Sequence, residues 1–140
     1  MTAEEMWREY GGKGDYEAWA FGSAPDKLAE LVIEGKKRAT SSALPAYEAD
    51  GEDVPKSGDL SIILYSDGSA ACIIKTTAVT VLPYDEISEN MASLEGEGDL
   101  SLEYWRDVHR EFFTDEMAEY GLSFDEKMPV VFEEFEVIYK

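Results

Sequence analysis

Cysteine and histidine are almost absent from this sequence. Of 140 residues, one is a cysteine, Cys72, and one is a histidine, His109. A single cysteine excludes an internal disulfide and a cysteine-cluster metal site, and a single histidine excludes a histidine-rich zinc site. Cys72 lies in the apolar segment "AACIIKTT", which favours a buried structural thiol over a reactive one. We therefore expect a cytoplasmic protein.

Long hydrophobic runs are also missing. No apolar run approaches the roughly 18 residues that a membrane span needs. The N-terminal segment "MTAEEMWREYGG" is acidic and its apolar residues are scattered, unlike a secretory signal peptide. No membrane partner is expected.

Cations are scarce. Twelve lysines and arginines stand against 31 acidic residues, which gives a net charge of −19. Such a field repels long nucleic acid at moderate salt, although it leaves small neutral ligands unaffected. Three of the cations are consecutive, Lys36, Lys37 and Arg38, directly after Gly35. Cations at a helix C-terminus complement the helix dipole, and the same cluster is also a candidate binding site.

The remaining composition is that of a folded domain. The chain is 44% hydrophobic and 12% aromatic, with no internal repeat, low-complexity segment or linker. Thr2 followed by Glu5 has the spacing of a capping box and predicts a helix that ends at Gly11–Gly12. The local patterns then predict a strand at 16–21, a helix capped by Ser23 and stopped at Gly35, and a helical turn at 43–49. They also predict a hairpin at 59–84 that turns at Asp67-Gly68, a helix at 85–94, a long helix at 101–121 with an apolar face toward the core, and a strand from Pro129.

The order of these elements restricts the fold class. Strands and helices are mixed without regular βαβ alternation, which argues against a doubly wound parallel sheet. The pattern favours an α+β fold in which a curled, mostly antiparallel sheet or small barrel is flanked by helices.

Several segments, taken in order, resemble a known family. They are "WAFG" at 19–22, "GKKRATSS" at 35–42, "GDLSIIL" at 58–64, "EGEGDLSLEYWRDVHREFF" at 95–113 and "MPVVFEEFEVIY" at 128–139. Together they resemble the activating-signal-cointegrator homology (ASCH) domain from about residue 16 onward. We accordingly expect a single domain over 1–140, with an N-terminal helix and turn at 1–15.

The resemblance has implications for fold and activity. ASCH domains are similar to PUA domains, which implies a small β-barrel with flanking helices and a cleft beside the Gly-x-Lys-x-x-Thr segment. The family is generally proposed to act on RNA or nucleosides. One small bacterial member deacylates N4-acetylcytidine with a Lys, a Thr and a Glu, and another is reported as a metal-dependent ribonuclease. Carried over, the catalytic residues correspond to Lys37, Thr40 and Glu97, with Glu95 as the rival of Glu97.

The chemistry of these residues leaves alternatives open. Lys37 would act as a base toward Thr40 only if its amine were neutral part of the time, whereas a charged Lys37 would bind a carbonyl oxygen or a phosphate. Thr40 could equally bond nearby backbone, and Glu97 could be a solvated loop acid. The predicted ligand-binding residues are Lys36, Arg38, Ser41, Tyr47 and Glu95.

Metal and aromatic sites are weaker hypotheses. Glu95, Glu97 and Asp99 alternate and could face a hard cation, but no calcium-loop pattern is present, so no metal or cofactor is assigned. His109 is predicted to be a packed helix histidine. Trp19, Phe21 and Trp105 are expected in the core, and Tyr47 is the better candidate for a ligand contact.

Three functions fit the sequence. The first is a protein that binds a nucleoside, a nucleotide or a short single-stranded RNA and hydrolyses it, in the manner of an N4-acylcytidine amidohydrolase. The second is a non-catalytic PUA-like module that binds RNA or a small ligand. The third is a metal-dependent ribonuclease. Long nucleic acid is disfavoured in each case by the charge of −19.

Overall fold

Five strands form one mixed sheet that curls into an open half-barrel. The structure is a computed structural model that describes residues 1–140. The strands are β1 (Glu17–Trp19), β2 (Ala39–Ala43), β3 (Leu60–Leu64), β4 (Ala70–Pro83) and β5 (Pro129–Tyr139). Their order across the sheet is β1-β3-β4-β5-β2. Strands β1 and β2 are therefore the two free edges.

Strand pairing confirms the predicted α+β class. Only β1 and β3 run parallel, and the other three neighbouring pairs are antiparallel. The long strand β4 pairs with β3 and with β5, so it forms the spine of the sheet. The turn of the β3–β4 hairpin lies at Asp67-Gly68, as predicted, and the Asp67 carboxylate accepts hydrogen bonds from the backbone N–H and the hydroxyl of Ser69.

Five helices flank the sheet. They are α1 (Ala3–Tyr10), α2 (Pro25–Ile33), α3 (Leu44–Asp50), α4 (Glu89–Leu94) and α5 (Leu102–Glu119). A short 3-10 helix covers Tyr84–Glu86. The capping box predicted for α1 is present, because Thr2 and Glu5 each accept the other's backbone N–H. No helix of the chain combines the length and the apolar character that crossing a membrane requires.

The core is divided among three hydrophobic clusters. The largest joins α5 to β5, with Trp105 and Phe113 packed near Phe132. A second joins α2 to β3 and β4, and a third places α1 against the same two strands. Cys72 lies in the second cluster, where burial raises the pKa of its thiol to about 12. That environment is typical of a structural thiol.

The start of α2 differs from the prediction. Ser23 is not the N-cap, because Ala24 occupies that position with a left-handed backbone (φ 45°) and makes no side-chain cap hydrogen bond. Pro25 is the first helical residue, a position that proline suits because it has no N–H to satisfy. Asp26 does not cap the helix either. Its carboxylate accepts from the backbone and the hydroxyl of Ser66, which ties α2 to the β3–β4 hairpin.

Candidate functional site: an ion-pair network behind an open cleft

The turn after α2 separates Lys37 from its two cationic neighbours. Gly35 has a φ of +78°, and the backbone N–H groups of Lys36 and Lys37 both donate to the carbonyl of Leu31. This turn directs Lys37 inward, where it is 2% exposed. The side chain of Lys36 remains 67% exposed and pairs with Glu34, and Arg38 is exposed.

Loop 95–99 lies directly on this turn. A Cβ on Gly96 would stand 2.2 Å from the carbonyl oxygen of Lys36, and Gly96 has a φ of +71°. Only glycine allows this close approach of two backbones. The backbone N–H of Arg38 also donates to the carbonyl of Leu94, at 2.7 Å. The acidic loop is thereby held in contact with the basic turn, about sixty positions away in the sequence.

Lys37 pairs with both glutamates that the sequence left as rivals. Its Nζ lies 3.3 Å from Oε1 of Glu95 and 2.8 Å from Oε2 of Glu97. The ring of Phe21 is 5.3 Å from the same Nζ. One buried ammonium is thus shared by two carboxylates and covered by an aromatic ring.

Glu95 is the centre of the network. Its side chain is 2% exposed, and its Oε2 accepts hydrogen bonds of 2.6 Å from the Ser41 hydroxyl and from the Trp105 indole N–H. Burial would raise the pKa of Glu95, but Lys37 and His109 outweigh burial and lower that pKa to about 2. A carboxylate with such a low pKa is a poor proton acceptor, so Glu95 is suited to holding charge in place rather than to base catalysis.

His109 completes the network from α5. Its Nε2 lies 3.4 Å from Oε1 of Glu95, its Nδ1 lies 2.8 Å from the carbonyl of Trp105, and its ring stacks on the Trp105 indole. Both ring nitrogens of His109 therefore lie within 3.4 Å of an oxygen atom. This is the packed helix histidine expected from its spacing, with an added electrostatic contact.

An open cleft lies on the other side of β2. Its volume is about 970 Å³, and it occupies the gap between the two edge strands, β1 and β2. Thr40, Ser41 and Tyr47 line it, whereas Lys37, Glu97, Lys36 and Arg38 do not. Ser41 lines the cleft and also donates to Glu95, so it connects the two regions.

The predicted site residues therefore divide into three groups. The buried network holds Lys37, Glu95 and Glu97, the cleft wall holds Thr40, Ser41 and Tyr47, and the exposed surface holds Lys36 and Arg38. The resemblance to the ASCH domain implied a cleft beside the segment that contains Lys37, but the Lys37 side chain does not line the cleft, and its ammonium lies against the ring of Phe21. Lys37 belongs to the turn at Gly35 and precedes β2, which begins at Ala39. Its side chain is therefore directed by the turn and not by the alternation of the strand that lines the cleft.

The sequence and the fold are similar to those of known proteins. The family model described as the ASCH domain matches residues 17–139. The chain belongs to the ASCH domain family. Two solved structures are similar over nearly the whole chain. The ASCH domain from Lactobacillus crispatus JV V101 is 36% identical, with a TM-score of 0.84, over 98% of this chain and 89% of that one. A protein from Enterococcus faecalis V583 is 33% identical, with a TM-score of 0.87, over 97% and 85% respectively.

A more distant solved structure shares only the fold with this chain. A hypothetical protein of known structure is 22% identical, with a TM-score of 0.57, over 89% of this chain and all of the other. A search among curated proteins found no match. The region matched to the ASCH domain contains both the ion-pair network and most of the cleft.

The acidic loop of this ASCH domain does not gather a metal site. Glu95 and Glu97 both pair with Lys37, and Asp99 is exposed and accepts a hydrogen bond from the backbone of Ser101. No group of three or more His, Cys, Asp or Glu side chains is placed to hold a metal ion. The alternation of the three acids suited an extended segment, but the positive φ angles of Gly96 and Gly98 bend the loop.

Glu133 is a cleft residue that sequence reasoning missed. It lies on β5 directly opposite Thr40 of β2, lines the cleft and is 6% exposed. A signal was available in the sequence, since alternation along β5 places Glu133 on the same face as Val131 and Phe135. An acid between two apolar residues of one strand face indicates a buried carboxyl.

Proposed function

We propose that this ASCH domain binds a nucleoside-scale ligand in the cleft between β1 and β2. The observation that carries the proposal is the cleft itself, with a volume of about 970 Å³ and with Thr40, Ser41 and Tyr47 in its wall. Sites for small molecules generally have volumes of about 300–1,000 Å³ and a few placed polar groups. A short single-stranded RNA that inserts one nucleotide would use the same wall.

The cleft offers both stacking surfaces and polar groups. Trp19, Phe21 and Phe112 line it, and base stacking on an aromatic ring contributes about 1–3 kcal/mol. The Thr40 hydroxyl makes no hydrogen bond within the protein, in contrast to the Ser41 hydroxyl, which donates to Glu95. Thr40 is therefore available to a ligand, whereas Ser41 is held in place.

Lys37 supports this site through its charge. Two carboxylates lie within 3.3 Å of its Nζ and form ion pairs with it. Lys37 accordingly fixes Glu95, which fixes Ser41 and with it the β2 wall. In this arrangement Lys37 is a positioning residue, and the direct contacts to the ligand belong to Thr40 and Tyr47.

Hydrolysis of an N4-acylated cytidine is the second candidate, and the free Thr40 hydroxyl in the cleft wall favours it. In that reaction the Thr40 oxygen bonds to the acyl carbon, the carbon–nitrogen bond breaks, and the Thr40 proton goes to the departing amine. Water then releases the acid and restores Thr40. Glu95 is not the base in this scheme, because its pKa is about 2.

A nucleoside screen tests the proposal. Cytidine, N4-acetylcytidine and other modified nucleosides are screened by thermal shift, affinities are measured by calorimetry, and turnover is followed by chromatography. The key variant is Thr40→Val, which keeps the shape and removes the hydroxyl. Loss of one hydrogen bond, about 0.5–1.5 kcal/mol, should weaken binding by up to about tenfold.

The control is Thr80→Val, the same change on an exposed strand residue outside the cleft. It should leave the affinity unchanged. If Thr40 is the nucleophile, the wild type turns the substrate over and Thr40→Val abolishes that turnover. If Thr40 only binds the ligand, the wild type itself shows no turnover. Absence of binding by every nucleoside, or equal effects of the two variants, would contradict the proposal.

A further inference from the structure

Charged groups of one sign dominate the cleft. Seven carboxylic acids line it, and Lys56 is its only cation. The acids are Asp15, Glu17, Glu52, Asp53, Asp59, Glu116 and Glu133. A cleft with walls of one charge concentrates its field on whatever enters. A phosphate group, with one or two negative charges, is therefore repelled from the same space that an uncharged ligand can occupy.

Glu133 is the buried member of this set, and its carboxyl is only half satisfied. Its Oε2 accepts a hydrogen bond of 2.6 Å from the Thr76 hydroxyl. Its Oε1 has no hydrogen bond, and no lysine, arginine or histidine lies within ion-pair distance of the side chain. This oxygen is not fully enclosed. A ligand in the cleft that supplies an N–H could therefore reach it and form the missing hydrogen bond.

Glu133 lies beside Thr40 and close to other acidic residues of the cleft. Residues directly opposite on antiparallel strands place their side chains on one face, about 4.5–5.5 Å apart at Cβ, and Glu133 has Thr40 opposite. Burial raises the pKa of Glu133, and the nearby charges of Asp59 and Glu17 raise it further. A free hydroxyl and a half-satisfied carboxyl thus lie side by side in the wall of the cleft.

We propose that Glu133 recognises the ligand of this cleft by accepting a hydrogen bond from an N–H group, and that the ligand carries no phosphate. The inference deepens the proposed function and rests on it, since the ligand occupies the same cleft. Its chemical class is an uncharged molecule with an amine or amide donor, such as the exocyclic N–H of a nucleobase. A carboxylate that accepts from the amino group of cytosine is an established pairing.

The test compares two pairs of probes. The nucleosides are cytidine and N4-acetylcytidine, and their partners are the corresponding 5′-monophosphates. Calorimetry on the wild-type protein should show each nucleoside bound at least about tenfold more tightly than its monophosphate. Shift perturbations in an NMR titration should fall on β1, β2 and the centre of β5.

Two matched variants test Glu133 itself. Glu133→Gln keeps the shape, but with its oxygen accepting from Thr76 its amide nitrogen faces the cleft as a donor, so a ligand N–H meets a second donor. We expect nucleoside affinity to fall by at least about tenfold. Glu134→Gln removes the same charge one position away on the opposite face of β5 and does not touch the cleft. It should bind as the wild type does, and thermal melts should show both variants folded.

The outcomes separate this inference from the proposed function. Equal affinity for nucleoside and monophosphate, or equal effects of the two variants, overturns the inference while nucleoside binding itself stands. Nucleoside binding that depends on Glu133 but shows no turnover supports the inference and removes hydrolysis. Failure of every nucleoside to bind, or shifts confined to surfaces away from the cleft, overturns both.

Discussion

Removing the side chain of Lys37 would leave the buried Glu95 carboxylate without its lysine. For Lys37→Ala we expect a loss of about 3–5 kcal/mol in the free energy of unfolding at neutral pH, the usual cost of breaking a buried ion pair. The loss should shrink as the pH falls from 7 to 4, because without Lys37 burial raises the pKa of Glu95 and the carboxyl becomes protonated. Denaturant unfolding at several pH values measures both effects.

In the wild-type protein, the lowered pKa of Glu95 determines how stability changes with pH. Its Glu95 has a pKa lowered from 4.5 to about 2, so the charged network contributes stability above pH 4.5 and loses it as the pH falls toward 2. Lys36→Ala is the control, since its exposed side chain should cost less than about 0.5 kcal/mol. Equal losses for the two variants, or a Lys37→Ala loss independent of pH, would contradict the buried ion pair.

Sequence reasoning reached some of these residues and not others. The pairing of Lys37 with a glutamate of loop 95–99 was expected from the resemblance to the ASCH domain, which implied a lysine and a glutamate in one site. The choice between the two glutamates could not be predicted, since it depends on how the loop bends. Glu133 was missed although Val131 and Phe135 lie on its face of the strand, and the pairing of β5 with β2 and β4 shows that this face is internal.

At the scale of elements, the contact between loop 95–99 and the turn after α2 depends on one glycine. In Gly96→Ala the new Cβ would meet the Lys36 carbonyl at 2.2 Å in a backbone with a φ of +71°. We expect a loss of stability well above the roughly 1–2 kcal/mol that a left-handed alanine costs. We also expect weaker nucleoside binding, because the acids lose their position beside Lys37.

Gly121→Ala separates the two causes. Gly121 has nearly the same φ, +73°, and a Cβ there would meet nothing within 4 Å. It should therefore show the cost of backbone strain alone, with no effect on the cleft. The backbone contact at Gly96 is refuted if the two variants unfold at the same denaturant concentration.

The prediction of elements succeeded where the sequence carries local signals. Three features depend only on residues close together in the sequence, and all three are present. They are the Thr2 capping box, the Asp67-Gly68 turn and the apolar face of α5. The start of α2 was wrong, because Pro25 and the contact of Asp26 with Ser66 decide it, and that contact joins positions 40 residues apart. The edge positions of β1 and β2 are likewise set by long-range pairing.

At the scale of the whole molecule, the net charge of −19 opposes binding of long RNA. The cationic cluster does not reverse this, since Lys37 is neutralised inside and Lys36 pairs with Glu34. At ~0.15 M salt we expect little binding of a structured RNA. Fluorescence titration over a range of salt concentrations measures it, and submicromolar affinity would favour the PUA-like RNA-binding module instead.

The position of β2 at the sheet edge has a consequence for the order of folding. Its only strand partner is β5, whose paired residues lie at 130–134, about ninety positions later in the chain. During synthesis, residues 39–43 therefore emerge long before β5, and the cleft wall that they form cannot be completed until β5 is available to pair with them. Pairing over such a sequence distance is slow. The wall that β2 contributes to the cleft is therefore expected to form late in folding.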